Sequence, residues 1–371
     1  MRVVAATLHT VRLPLVHEFT TSSHAKRHLD HVLVELIDAS GMVGWGEIAS
    51  ASHPYYGPET VETTLLIAQR YLLPSLLGAE WQHPAEAAKL WAKVRGNEFA
   101  KAGVDMACWA LFAEMSGQPL ATLLGGTRVK AATGVSLGIE PTIDALVEQV
   151  AEQVEAGYRR VKLKIAPGWD VEPVAAVRES FGTHDLHVDA NGAYPADDGS
   201  FDIMRALDAY HLTMIEQPFA PRNFVDHARL QAQLDTPICL DESVETLDDL
   251  HTMLTLGAGR VLNIKVSRMG GLTPSVAAHD LAVDAGIPVW CGGMHEFGIG
   301  RAANVALSAL PGFTLPSDVS GSAKYYERDV ILPPVETTDG YVPIPTTPGL
   351  GFAVDTAWIA ANSLATSRIE E

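Results

Sequence analysis

The chain has 371 residues, 47% of them hydrophobic and 19% charged. That supplies apolar surface for two domains, or for one large barrel with additions, and excludes a disordered protein. A formal net charge of −19 argues against nucleic acid or an anionic membrane as partner.

Residues 1–50 read as β structure, with VVAATLHTVRLPL, then HVLVELID and MVGWGEI around the turn ASG. From about Glu59 to Ser116 the period becomes helical, in VETTLLIAQRYLLPSLLG, HPAEAAKLWAKVRG and AKAGVDMACWALFAEMSG. LLGG, ending at Gly126, closes that first region. Strands and helices then alternate. The strands read ATGVSLGI, RVKLKI, LHVDAN, LTMIEQP, PICLDES, RVLNIKV, IPVWCGG and FTLPSD, with helical segments such as TIDALVEQVAEQVEAG between them, several ending in glycine. Eight such strands predict a closed parallel α/β barrel. The tail from about Tyr325 is loop-rich and is expected to return to the first region. The expected division is 1–126 plus 325–371 over a barrel of 127–324.

No stretch reaches the roughly 20 apolar residues that span a bilayer. The start, MRVVAATLHTVRLPL, lacks a signal-peptide core. Cys108, Cys239 and Cys291 are scattered and odd in number, which suits a reducing compartment with no disulfide framework. A soluble cytoplasmic protein is expected, as a homo-oligomer.

Strands buried on both faces carry charge only at a catalytic rim. Here Lys162 and Lys164 end the second strand, Asp189 and Asn191 the third, Glu216 the fourth, Asp241 and Glu242 the fifth, and Asn263 and Lys265 the sixth. The steps Lys164–Asp189, Asp189–Glu216, Glu216–Asp241 and Asp241–Lys265 are 25, 27, 25 and 24 residues, one strand plus one helix each. Three carboxylates at one mouth call for a hard cation, so Asp189, Glu216 and Asp241 are expected to hold Mg²⁺, with Mn²⁺ able to substitute. Glu242, by alternation, is expected to point away. A divalent ion beside a carboxylate lets a neutral amine remove the adjacent carbon-bound proton. Lys164 is expected to be that base, with its pKa lowered by the neighbouring Lys162 charge.

These residues resemble the enolase superfamily, its muconate-lactonizing branch, and within it the o-succinylbenzoate synthase / N-succinylamino acid racemase family. The similarity runs over nearly the whole chain, through RGNEFAKAGVDMACW, VKLKIAPGWDVEPV, VDANGAY, IEQP, TPICLDES, NIKVSRMGG and IPVWCGGMHE. The resemblance implies a (β/α)7β TIM-type barrel with an N-terminal α+β capping domain. It implies Asp189, Glu216 and Asp241 as metal ligands, Lys164 and Lys265 as catalytic lysines on opposite faces, and Lys162 and Asn191 around a carboxylate substrate. Arg268, Ser136, Met294 and His295 match further positions near the substrate. The implied activity is a Mg²⁺-dependent carbon–oxygen lyase, dehydrating 2-succinyl-6-hydroxy-2,4-cyclohexadiene-1-carboxylate through an enediolate in menaquinone biosynthesis. The alternative is racemisation of N-succinylamino acids by two-base 1,1-proton transfer. HEF after GGM departs from the family pattern, which puts His295 and Phe297 where a substrate side chain would be sensed.

Two other signals carry less. GIGRAA, Gly298–Ala303, fits a dinucleotide fingerprint but is expected only to start the last barrel helix tightly, its amides free to help hold a ligand carboxylate. SSHAKRHLDH bears His24, His28 and His31 and is expected to form a polar flap over the barrel mouth rather than a zinc site.

Overall fold

The computed structural model describes residues 1–20 and 25–371. The β-rich start forms an antiparallel meander of β1 (Val3–Thr20), β2 (Ala25–Asp38) and β3 (Val43–Ile48). A fourth strand, Ser363–Glu370, arrives from the far end of the chain and pairs antiparallel with the other side of β1. The long helix Glu98–Ser116 lies on this sheet so closely that a Cβ on Gly46 would sit 2.0 Å from the Gly103 carbonyl oxygen. Glycine is what that approach requires. Val32, Val34, Leu36, Leu72, Val104 and Leu111 fill the space between sheet and helices.

The stretch expected to be a flap differs in part. Of that stretch, residues 25–31 belong to β2 and pair with β1, with Phe19 opposite Lys26. His31 is buried rather than lying on an exposed flap, His28 is exposed, and His24 lies outside the described residues.

The barrel strands are β4 (Gly134–Leu137), β5 (Arg160–Lys164), β6 (Asp185–Asp189), β7 (Met214–Glu216), β8 (Ile238–Leu240), β9 (Val261–Ile264) and β10 (Val289–Cys291). All pair in parallel in sequence order. Each is followed by a helix, from Ile143–Glu155 to Gly298–Leu307. The eighth position is taken by 313–318, which bridges Val289 through Phe313 and Thr133 through Ser317. The Ser317 carbonyl accepts from Gly134 N and Asp318 N donates to Cys291, so this segment closes the ring as a (β/α)7β barrel.

The caps divide the seven helices unequally. The first five begin on the side chains of Thr142, Asp170, Asp197, Asn223 and Thr246, the residue types that satisfy the free amides of a first turn. The last two, starting after Gly271 and Phe297, have no such side chain of their own. The capping sheet and its helix supply one to each. Asp105 accepts from Thr273 N at 2.9 Å and from its hydroxyl at 2.6 Å. Glu47 accepts from Phe297 N and Gly300 N, both at 2.7 Å, and His31 Nδ1 stands 2.7 Å from the same carboxylate.

This also decides the glycine-rich motif. Gly298 N donates to Asp329 at 2.6 Å, so the first amides of that helix are engaged by protein carboxylates and not free for a ligand. A Cβ on Gly298 would meet Ile331 Cγ1 at 2.3 Å. The glycine permits packing; it does not mark a dinucleotide site.

Candidate active site

The period-2 face of β5 points both lysines inward, as the alternation of a strand demands. All five residues of β5 are buried. Register then lines up the layers: Lys164 lies opposite Asp189, and Asp189 opposite Glu216. Lys265 follows β9 by one residue. Counting 313–318 as the eighth strand, β5 is the second and β9 the sixth, so Lys164 and Lys265 stand across the barrel from each other.

Lys164 Nζ donates to Asp189 Oδ2 and Asn191 Oδ1, each at 2.6 Å. Lys265 Nζ donates to Asp241 Oδ2 at 2.7 Å and to the Tyr56 hydroxyl at 3.1 Å. Its pKa is raised: burial alone would lower it, but Tyr56, Glu242 and Glu216 favour the ammonium more strongly. Lys162 sits one layer deeper, with Glu216 at 3.0 Å, Asp189 at 3.3 Å and Asp318 at 3.4 Å. Against the cost of burial, those three carboxylates raise its pKa as well, so it is a fixed cation beneath the site.

Glu216 is fully buried between Lys162, His187 Nε2 at 2.7 Å and Asn263 Nδ2 at 2.8 Å. Burial would push its carboxyl up; the Lys162 charge and the His187 hydrogen bond hold it well below the usual range. Burial keeps His187 neutral, its pKa down to about 4. Arg268 grips Asp241 through Nη1, while its Nε donates to Val244 O at 2.9 Å. Ser136 lies deeper than expected, donating to Asp318 at 3.1 Å.

Glu242 does not point away. β8 ends at Leu240 and the chain turns at once, so strand alternation stops applying. Buried Gln217 holds that turn, its side-chain oxygen accepting from Asp241 N and Ser243 N. Glu242 thereby lines the cavity and accepts from Asn191 Nδ2 at 2.9 Å. Its other oxygen is buried without a hydrogen-bond partner, and burial followed by the Asp189 charge raises its pKa.

The cavity, of about 180 Å³, is bounded on the barrel side by Lys164, Asn191, Glu242, Lys265, Met294 and His295, and on the other side by Phe19, Lys26, Tyr55 and Tyr56. Of these, Glu242, Phe19, Tyr55 and Tyr56 were not anticipated, and Lys26 falls in the stretch expected to cover the barrel mouth without having been singled out. Tyr56 reaches from the segment after β3 to donate to Asp241 at 3.0 Å.

Asp189, Glu216 and Asp241 offer oxygen donors only, at the ends of three successive strands, and Glu242 adds the unpartnered buried oxygen. That donor set fits a hard divalent cation. Here each of the three is engaged by lysine or arginine, and among the described residues no three acidic, histidine or cysteine groups stand together as a ready cation site. The fit rests on donor chemistry and strand order.

A closed β/α barrel with acids and lysines at the carboxyl ends of its strands, roofed by a separate sheet, defines a class of barrel enzymes whose chemistry lies between barrel and cap. Residues 145–358 match the Enolase C-terminal domain-like family, and residues 2–125 the N-terminal domain of the Mandelate racemase / muconate lactonizing enzyme family. The chain belongs to this enzyme family, within the enolase superfamily. It is 45% identical over 348 residues to an o-succinylbenzoate synthase of Geobacillus kaustophilus, covering 94% of this chain and 92% of the relative. It is 42% identical over 351 residues to an N-succinylamino acid racemase of Thermus thermophilus, covering 95% and 94%. A crystal structure of an enolase superfamily member from Listeria innocua superposes with a TM-score of 0.96 at 38% identity, covering 100% of this chain and 99% of the other.

Proposed function

We propose that this protein is a Mg²⁺-dependent o-succinylbenzoate synthase, in which a lysine removes the proton alpha to a carboxylate and water is then lost. The observation that carries the reading is the pair Lys164 and Lys265, facing one cavity from opposite sides of the barrel, each held by a carboxylate. Asp189, Glu216 and Asp241 would hold the ion, with Mn²⁺ able to replace it. When bound, a divalent cation supplies positive charge to the substrate carboxylate as its negative charge grows.

The protein's own groups do the rest. Lys164, in its neutral form, takes the proton from the carbon next to the carboxylate. Lys265 stays an ammonium and faces the developing enediolate, in keeping with the carboxylates around it. Lys164 then returns its proton to the departing hydroxyl, so that one C–H and one C–O bond are lost and one water leaves. Asn191 keeps the Lys164 amine aimed through its 2.6 Å contact. Lys162 adds fixed positive charge from below.

A second reading, racemisation of N-succinylamino acids, is favoured by the same observation, because two lysines on opposite faces can take a proton from one side and return it from the other. One experiment tests both. The purified enzyme with Mg²⁺ is given the cyclohexadiene substrate and a panel of N-succinylamino acids in D₂O, and NMR follows aromatisation and deuterium uptake at the α carbon. Neither event in any sample refutes the proposal.

A further inference from the structure

His187 is fully buried on β6, two residues before Asp189 and opposite Lys162 on β5. It does not line the cavity. Its Nε2 stands 2.7 Å from Glu216 Oε2, while Nδ1 is buried without a hydrogen-bond partner. With Nδ1 unpartnered, the proton of the neutral ring lies on Nε2 and is donated to the carboxylate. Leaving Nδ1 dry has a cost that an apolar side chain at this position would avoid. The ring is also held in place. Trp290 packs nearly perpendicular to it with centroids 5.3 Å apart, and the same indole lies 5.0 Å from Lys162 Nζ.

The donors to Glu216 divide unevenly between its two oxygens. Oε2 accepts from His187 Nε2 at 2.7 Å and from Lys162 Nζ at 3.0 Å. Oε1, among the described residues, accepts from Asn263 Nδ2 alone, at 2.8 Å. A carboxylate oxygen has two lone pairs, so Oε2 is filled and Oε1 keeps one free. Lys162 divides its charge among Glu216, Asp189 and Asp318. His187 gives its single N–H to Glu216 and has no other hydrogen-bond partner among the described residues.

We propose that His187 makes Glu216 a one-oxygen ligand and thereby selects the ion: with Oε2 committed, Glu216 offers Oε1 alone, which suits Mg²⁺ and disfavours Ca²⁺. This rests on the assignment above of Asp189, Glu216 and Asp241 as the residues that would hold a divalent cation. Mg²⁺ demands octahedral geometry and keeps several waters, so a carboxylate serves it through one oxygen. Ca²⁺ takes roughly six to eight oxygens and gains from carboxylates that give both. His187 touches neither substrate nor reacting atoms. It is a positioning residue that acts through Glu216.

Calorimetry with Mg²⁺ and with Ca²⁺, on the full chain without substrate, reads the ratio of the two dissociation constants. His187→Gln keeps an N–H donor at the reach of Nε2. His187→Asn carries the same amide one carbon short of Glu216, and His187→Met fills the space without a donor. The preference of the unaltered protein for Mg²⁺ over Ca²⁺ should fall about tenfold in His187→Met and His187→Asn, and His187→Gln should keep most of it. Equal ratios in His187→Gln and His187→Asn overturn the proposal, so that pair decides even if His187→Met does not fold. Loss of both ions in equal proportion, or no preference for Mg²⁺ in the unaltered protein, overturns it too. A ratio that ignores His187 in an enzyme that aromatises its substrate or exchanges the α proton removes the selection alone. A ratio that depends on His187, with neither reaction on any substrate, upholds the selection and overturns the proposed reaction instead.

Discussion

Glu47→Gln is an informative single change because the carboxylate it replaces joins two parts of the fold. Glu47 is fully buried at the end of β3 and accepts three contacts of 2.7 Å, from Phe297 N, Gly300 N and His31 Nδ1. Glutamine keeps one acceptor oxygen and places an NH₂ group where the other stood, against an N–H that also donates. At least one hydrogen bond to a charged group is lost, worth about 1.5–3 kcal/mol. The favourable placement of negative charge at a helix start goes too, worth up to about 2 kcal/mol where partly buried. The expected loss is therefore about 3 kcal/mol. Urea unfolding followed by circular dichroism should show a lower midpoint with an unchanged slope. Since that helix begins just after His295, KM should rise more than kcat falls. A stability loss below about 1 kcal/mol would mean that the helix finds other partners and that the cap is not held there by Glu47.

Lys164→Ala should abolish both aromatisation and α-proton exchange, by about 10³-fold or more, as read by NMR in D₂O; normal turnover in that variant would remove Lys164 from the chemistry. Asp241→Asn should weaken Mg²⁺ binding at least tenfold in titration calorimetry, and unaltered affinity would refute its place as a ligand. Asp105 gives a pH signature. Burial raises its carboxyl to about 7 from an ordinary 3.8, against the Thr273 hydrogen bonds. A pKa raised on folding means that the folded state binds the extra proton, so this contribution to stability is whole below about pH 4 and is lost as pH rises through 7. At about 1.4 kcal/mol per pH unit the effect has a ceiling of about 4 kcal/mol. Asp105→Asn should flatten the decline in urea midpoint between pH 5 and pH 8, and parallel curves for the two proteins would refute the assignment.

The barrel was legible because its signal is local and repeated. Each strand is an apolar run, the second to the sixth end in polar residues, and the 24–27-residue spacing of Lys164, Asp189, Glu216, Asp241 and Lys265 is the length of one strand and one helix. What escaped the sequence depends on where a strand stops or on contacts between distant segments. Alternation assigned Glu242 to the wrong side because nothing in CLDES says that β8 ends at Leu240, where the Gln217 side chain takes over the backbone amides. Nothing in SHPYYGPE pointed to Tyr56, which meets Asp241 across 185 positions of chain. Glu47 and the GIGRAA amides are about 250 residues apart; a glycine-rich helix start looks the same whether it awaits a ligand or a carboxylate of its own protein. His31 was grouped with its neighbours because they share a polar stretch, yet strand pairing buries it and leaves His28 outside.

The pairing of β1 with Ser363–Glu370 has a consequence for biosynthesis. While the ribosome is still making the barrel, the first three strands can already form a meander, but the outer side of β1 must wait for the final strand. During that interval an unpaired edge is available to any other extended chain. The roof that brings Phe19 and Lys26 over the reaction chamber is thus translated before the barrel and completed after it, and early release of the nascent chain should yield aggregation before it yields a misplaced active centre.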